Sequence, residues 1–174
     1  MPKSLLKINL SIMKKLILLF AFLLAITINA QEQQLDETPL VNEVKLNVGY
    51  LLLGIPEFSY ERVLNEESSV GISLAVSIDN EIDLNYILTP YYRFFFGKKP
   101  AAGFFIEGNA AVFSEQYNFK NETAFGLGIA VGGKFLSKRN WIGELHIGLG
   151  RTLINENNTT EAYPRIGISL GKRF

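Results

Sequence analysis

Beyond residue 42 the chain alternates apolar and polar side chains, in segments separated by turn-forming residues. A period of two places successive side chains on opposite faces of an extended strand. Eight segments follow this pattern. The first, Glu43 to Leu52, sets Val44, Leu46, Val48 and Tyr50 against Lys45, Asn47 and Gly49, and Gly54-Ile55-Pro56 ends it. Residues 57–63 set Phe58 and Tyr60 against Glu57, Ser59 and Glu61. Residues 69–78 set Val70, Ile72, Leu74, Val76 and Ile78 against Ser, Gly and Ala, and Asp79-Asn80 turns the chain. Residues 82–96 form the long fourth segment. Pro90 lacks a ladder donor, so a bulge or register break is expected there. Residues 104–112, 124–136 and 141–150 continue the series, with polar loops expected at 114–122 and 155–161. The last segment, Tyr163 to Phe174, sets Pro164, Ile166, Ile168 and Leu170 against Tyr163, Arg165, Gly167, Ser169, Gly171 and Arg173.

One face of this series is continuously apolar, and the other mixes charge with Gly, Ala and Ser. In a soluble barrel the charged face meets water and the apolar face fills the interior. In a membrane barrel the relation reverses: large apolar side chains face lipid, and small and charged ones fill the lumen. The ladders Gly126/Gly128/Ala130/Gly132 and Gly148/Gly150 lie on the charged face. The cramped interior of an eight-stranded barrel needs such residues, whereas solvent-facing strand positions rarely call for runs of glycine. The pattern therefore predicts an all-β fold, an eight-stranded antiparallel up-and-down transmembrane β-barrel. Tyr50, Tyr92, Phe135 and Trp141 are expected in interfacial aromatic girdles. An even strand number puts both termini on one side, the periplasm, with short turns near 65–68, 97–101 and 137–140. Connections near 53–56, 79–81, 114–122 and 153–162 are then extracellular.

Lys14 and Lys15 precede an apolar run from Leu16 to Ile28, then Asn29-Ala30 and a polar Gln31-Glu32-Gln33-Gln34. This is the order of a secretory signal peptide, and the run is too short for a membrane-spanning helix. Either Met1 or Met13 serves as a start under this reading. The expected domains are a signal peptide over 1–30, a flexible lead-in over 31–42 and a barrel over 43–174. Lys plus Arg and Asp plus Glu both number 17, and this balance argues against a nucleic-acid partner. With no cysteine, disulfides, thiolate metal sites and cysteine nucleophiles are excluded.

A final strand that stops on an aromatic residue resembles the C-terminal strand of bacterial outer-membrane barrels. That resemblance implies that Phe174 and its strand are read by the barrel-assembly machinery. Residues 43–174 as a whole resemble small outer-membrane β-barrel proteins of Bacteroidetes type, including an uncharacterised conserved family of that kind. The residues that carry this are the leader, Ser59-Tyr60-Glu61-Arg62, Pro90-Tyr91-Tyr92-Arg93-Phe94 and the Gly167–Phe174 ending. The resemblance implies residence in the outer membrane of a Gram-negative bacterium, in contact with its lipid. It implies no activity and no cofactor.

By strand parity the inward set carries Lys45, Arg93, Lys134, Arg165 and Arg173 with Glu57, Glu61, Asp83, Glu107 and Glu144, and also His146. A charge in a narrow lumen is costly unless paired, so equal numbers of the two signs predict a salt-bridged plug that seals the barrel. The role is then structural, or one of surface interaction through the loops near 114–122 and 153–162. Two alternatives carry different chemistry. Some eight-stranded outer-membrane barrels deacylate lipid A with a Ser, a His and a carboxylate. In those deacylases the nucleophilic Ser follows the His by two residues, where this chain has Gly148 after His146. His146 is expected instead as a lumen hydrogen-bond partner, and one His among scattered carboxylates lacks metal-ligand spacing. No catalytic, cofactor-binding or metal site is therefore expected. The second alternative is a soluble periplasmic, lipocalin-like barrel with the apolar face turned inward around an apolar ligand.

Overall fold

The computed structural model describes residues 41–78, 82–117, 120–155 and 159–174. The expected signal peptide, its cleavage after Ala30, nearly all of the lead-in and the Asp79-Asn80 turn lie outside the described residues. Within them, eight strands form one closed sheet. They are β1 (Asn42–Asn47), β2 (Glu57–Val63), β3 (Ser68–Val76), β4 (Leu84–Phe95), β5 (Gly103–Tyr117), β6 (Lys120–Leu136), β7 (Trp141–Ile154) and β8 (Ala162–Arg173), with a helical turn, α1 (Val48–Leu52), after β1. Each strand pairs antiparallel with the next in sequence. β1 closes the barrel on β8, from Glu43 opposite Arg173 to Asn47 opposite Ser169. The chain is thus an all-β, eight-stranded, up-and-down antiparallel barrel.

β8 alternates without exception: Tyr163, Arg165, Gly167, Ser169, Gly171 and Arg173 are buried, and their neighbours are exposed. Just past it, Phe174 exchanges backbone hydrogen bonds with Asn42 (2.8 and 2.9 Å), so the terminal residue is tied into the closing seam. The β6–β7 turn has local causes. Ser137 Oγ accepts from the amides of Arg139 (3.3 Å) and Trp141 (3.0 Å), and Asn140 takes a positive φ of 60°. Asparagine tolerates that conformation better than most residues.

Four expectations need correction. The first segment does not run to Leu52. Its strand stops at Asn47, whose side-chain oxygen accepts from the Tyr50 amide (3.2 Å) and starts α1. An asparagine that caps a turn offers the backbone an alternative to the ladder. Val48 and Tyr50 therefore leave the outward face, and Tyr50 is not in an outer aromatic girdle. Second, Pro90 causes neither a bulge nor a register break. Ile72 pairs opposite Pro90 on one side, and on the other the ladder omits Thr89 and Pro90 and resumes in the same register. The irregularity falls between Leu84 and Tyr86 instead. Third, the stretch expected as a polar loop at 114–122 is strand over 114–117 and 120–122. β5 and β6 stay paired from Ser114–Thr123 to Tyr117–Lys120, because polar side chains do not prevent a backbone ladder. β7 likewise continues past Gly150 to Ile154. Fourth, Asp83 is not in the lumen: it lies exposed, one residue before β4.

The barrel interior is apolar at both ends and charged between them. At the terminus end, Val63, Phe95, Ala101 and Phe105 cluster with Val41. The 96–102 connection turns back into this opening: Ala101 is fully buried, and its amide donates to Glu66 O (2.7 Å). A Cβ on Gly97 would run into the Ala102 carbonyl, so only glycine permits the reversal. Towards the opposite end, Ala111, Phe113, Ala124 and Tyr163 form a second cluster with Leu84 and Ile87.

Candidate functional site

Eight strands leave a lumen that side chains can fill. Here the middle of that lumen is filled by charge. Glu61 on β2 is its hub. It accepts from Lys45 (2.5 Å), Arg93 (2.8 Å), Ser69 (2.6 Å) and Tyr91 (3.1 Å), and also from Lys134. Glu144 on β7 accepts from Lys45 (2.7 Å) and Arg93 (2.8 Å). Glu107 on β5 accepts from Arg93 (2.8 Å) and Arg165 (2.8 Å). Arg165 then reaches Glu57 (2.6 Å), whose other oxygen takes Asn47 Nδ2 (2.8 Å).

The same chain of contacts runs to the terminus end. Lys134 donates to Glu43 (2.8 Å), and Glu43 accepts two bonds from Arg173 (2.8 and 2.6 Å). The Arg173 guanidinium also donates to the Pro100 and Ala101 carbonyls, both at 2.9 Å, and fastens the inturned connection. Aromatic faces support the cations. The Arg93 guanidinium carbon lies 4.4 Å from the Tyr91 ring centre and 4.3 Å from that of Phe105. Lys134 lies over Phe95 at 4.6 Å. Such contacts add attraction where water is excluded.

The structure brings together ten of the eleven residues assigned to the lumen by parity. Asp83 is the exception. It lies exposed one residue before β4, and its backbone oxygen accepts from the Gln116 amide (2.7 Å). The irregularity between Leu84 and Tyr86 shifts the phase, so that Leu84 turns inward and Asp83, before the strand, does not. Glu43 is the acid that parity reasoning missed. It is fully buried, and it shares the inward phase of Lys45 two residues on. His146 is buried between β6 and β8, yet among the described residues neither ring nitrogen has a hydrogen-bond partner. Its Nδ1 lies 3.3 Å from a Glu144 oxygen without bonding geometry. Packing sets the ring: a Cβ on Gly167 would stand 2.7 Å from its Nε2.

The lumen glycines have the same kind of cause. Several leave room for a large inward side chain from another strand, while Gly148 faces Ala130 and the Ile129 carbonyl. The Tyr163 ring lies across Gly126, Gly128 and Gly150, and the Tyr91 ring lies over Gly71. Tyr163 then donates to Asn109 (2.8 Å), which itself donates to Glu107 (3.2 Å).

Beyond this network, at the end away from the termini, a cavity of about 300 Å³ remains. Tyr50, Ile55, Leu84, Ile87, Phe113 and Tyr163 supply its walls, and the Arg165–Glu57 pair lies on its inner side. Glu115 and Thr160 also line it, and the Thr160 amide and hydroxyl donate to Glu115 (3.0 and 2.8 Å). Burial, with the Glu57 carboxylate nearby, pushes the Tyr50 phenol above its ordinary range, so α1 offers the cavity a neutral ring.

A family model described as a protein of unknown function (DUF3575) matches residues 16–166, most of the chain. No curated protein and no solved structure matches.

Proposed function

The chain belongs to that DUF3575 family, and we propose that within it this protein is an outer-membrane β-barrel of a Gram-negative bacterium, with a sealed lumen and a structural or surface-interaction role. One observation carries this reading: the barrel is inverted relative to a soluble protein. Ile129, Leu149 and Ile147 are 71%, 69% and 63% exposed, and Leu145, Leu170 and Phe58 are exposed beside them, while Glu43, Glu61 and Glu107 are fully buried. In water this outer band would be an apolar surface far larger than the few hundred Å² that monomeric soluble proteins carry. Against hydrocarbon it is what the solvent requires.

The lipocalin-like alternative asks for an apolar interior, and the interior here holds paired charge. Deacylation is not part of the proposal. His146 is enclosed in the barrel wall, and Gly148 supplies no nucleophile where that chemistry would need one. In this reading both termini face the periplasm and the 300 Å³ cavity opens towards the outside. The signal-like order of residues 14–34 supports export. The test is fractionation of cells expressing the full chain, with gel mobility compared before and after boiling. Outer-membrane recovery with a heat-dependent shift is expected. Recovery as a detergent-free soluble periplasmic protein would overturn the proposal.

A further inference from the structure

The β5–β6 hairpin carries two carboxylates towards the cavity end of the barrel. Glu115 and Glu122 stand directly opposite each other in the ladder, on the face that points inward lower down the same strands. Like charges directly opposite in a sheet repel and destabilise the pair. Among the described residues neither acid has an ion-pair partner. Glu115 accepts from Thr160, and Glu122 accepts from Asn155 Nδ2 (3.1 Å). This contrasts with the lumen below, where every buried carboxylate meets a cation. Below Glu115 the cavity is walled by three aromatic rings, Tyr50, Phe113 and Tyr163, and among the described residues the one cation that lines it, Arg165, is already held by Glu57 and Glu107.

The geometry points to a binding site for a small hydrophobic cation, an aryl or alkyl amine or a quaternary ammonium, with its apolar part against Ile55, Leu84, Ile87 and Phe113 and its positive charge beside Glu115. Three features fit this class. The volume lies at the lower end of the ~300–1,000 Å³ range of small-molecule sites. Aromatic faces attract cations within about 6 Å of the ring centre. The lining holds an uncompensated negative charge at Glu115, which an anionic ligand would have to approach. Only the direction in which the cavity opens rests on the membrane reading.

The test uses the full chain in a non-ionic detergent, with calorimetric titration of benzyltrimethylammonium and of phenylacetate, two probes of similar apolar size and opposite charge. The cation is expected to bind and the anion to bind at least about tenfold more weakly, as one favourable charge contact of ~1.4 kcal/mol allows. Glu115→Gln, which preserves shape and can still accept from Thr160, is expected to abolish that preference. Its boiling-dependent gel mobility verifies that it still folds. Equal or tighter binding of phenylacetate overturns the inference, as does binding of neither probe by the folded protein, or a cation preference unchanged in Glu115→Gln. A cation-binding chain that fractionates as soluble sinks the membrane reading alone. A folded outer-membrane chain that binds neither probe sinks the site alone.

Discussion

Replacing Glu61 by Gln should be among the most costly single changes in this barrel. The carboxylate is fully buried and takes Lys45, Arg93 and Lys134 together with two hydroxyls. A glutamine keeps the shape but removes the charge. Among the described residues the lumen then holds five cations against four carboxylates, with the excess charge buried. Removing one partner of a buried ion pair costs about 3–5 kcal/mol, because the other charge is left uncompensated. At ~1.4 kcal/mol per tenfold, that is about two to four powers of ten in the folding equilibrium. Arg93 and Lys45 retain Glu144, Arg93 also retains Glu107, and Lys134 retains Glu43, which it shares with Arg173. The double variant Glu61→Gln with Lys134→Met restores the charge balance and places a thioether over the Phe95 ring, where the ammonium now lies. It should therefore be more stable than the single variant. The assay is reversible urea unfolding from phospholipid vesicles, followed by the fluorescence of Trp141, the single tryptophan, which is exposed on the outer surface. A Glu61→Gln variant within about 1 kcal/mol of the parent, or a double variant no better than the single, would refute the idea that the lumen charges act as one balanced network.

Ile129→Arg places a cation on the most exposed part of the outer band and should cost about 2–4 kcal/mol in vesicles if that position lies near the bilayer midplane; unfolding at the parent urea concentration would contradict the outer face being immersed in hydrocarbon. Gly150→Ala puts a methyl group into the Tyr163 ring and should cost about 1–3 kcal/mol in the same assay. Gly108→Ala, whose new Cβ meets nothing within 4 Å, should stay within about 0.5 kcal/mol of the parent. Planar bilayers containing the wild-type barrel should carry no steady ion current, because the terminus end is closed by Phe95, Phe105 and the Arg173-held connection; reproducible open-channel steps would show that the lumen is not sealed.

The strands were legible because each side chain in a closed sheet has only two directions to take, and the two environments differ sharply. Parity in β8 and β6 therefore identifies Arg165, Arg173 and Lys134 as inward residues from the sequence pattern alone. Parity says nothing about position along the barrel axis, and the errors fall there. By simple alternation Asp83 and Glu43 both read as inward near a strand end, but the irregularity between Leu84 and Tyr86 puts Asp83 out of phase. One stands just outside the ladder, while the other is held inside the terminus end of the barrel by Lys134 and Arg173. The difference is made by partners far away in sequence, which no local pattern contains. Asn47 shows a second limit. Its alternation reads as strand, but its side chain also caps α1 and reaches Glu57 on β2. The cavity inherits both limits. Its walls come from α1, β4, β5 and β8, and Glu115 lies in a stretch that reads locally as a polar loop. Only the continued β5–β6 pairing sets Glu115 opposite Glu122 above three aromatic rings. A repulsive pair retained at the mouth of an otherwise neutralised lumen has a physical rationale if a cation occupies the space between them and the rings below.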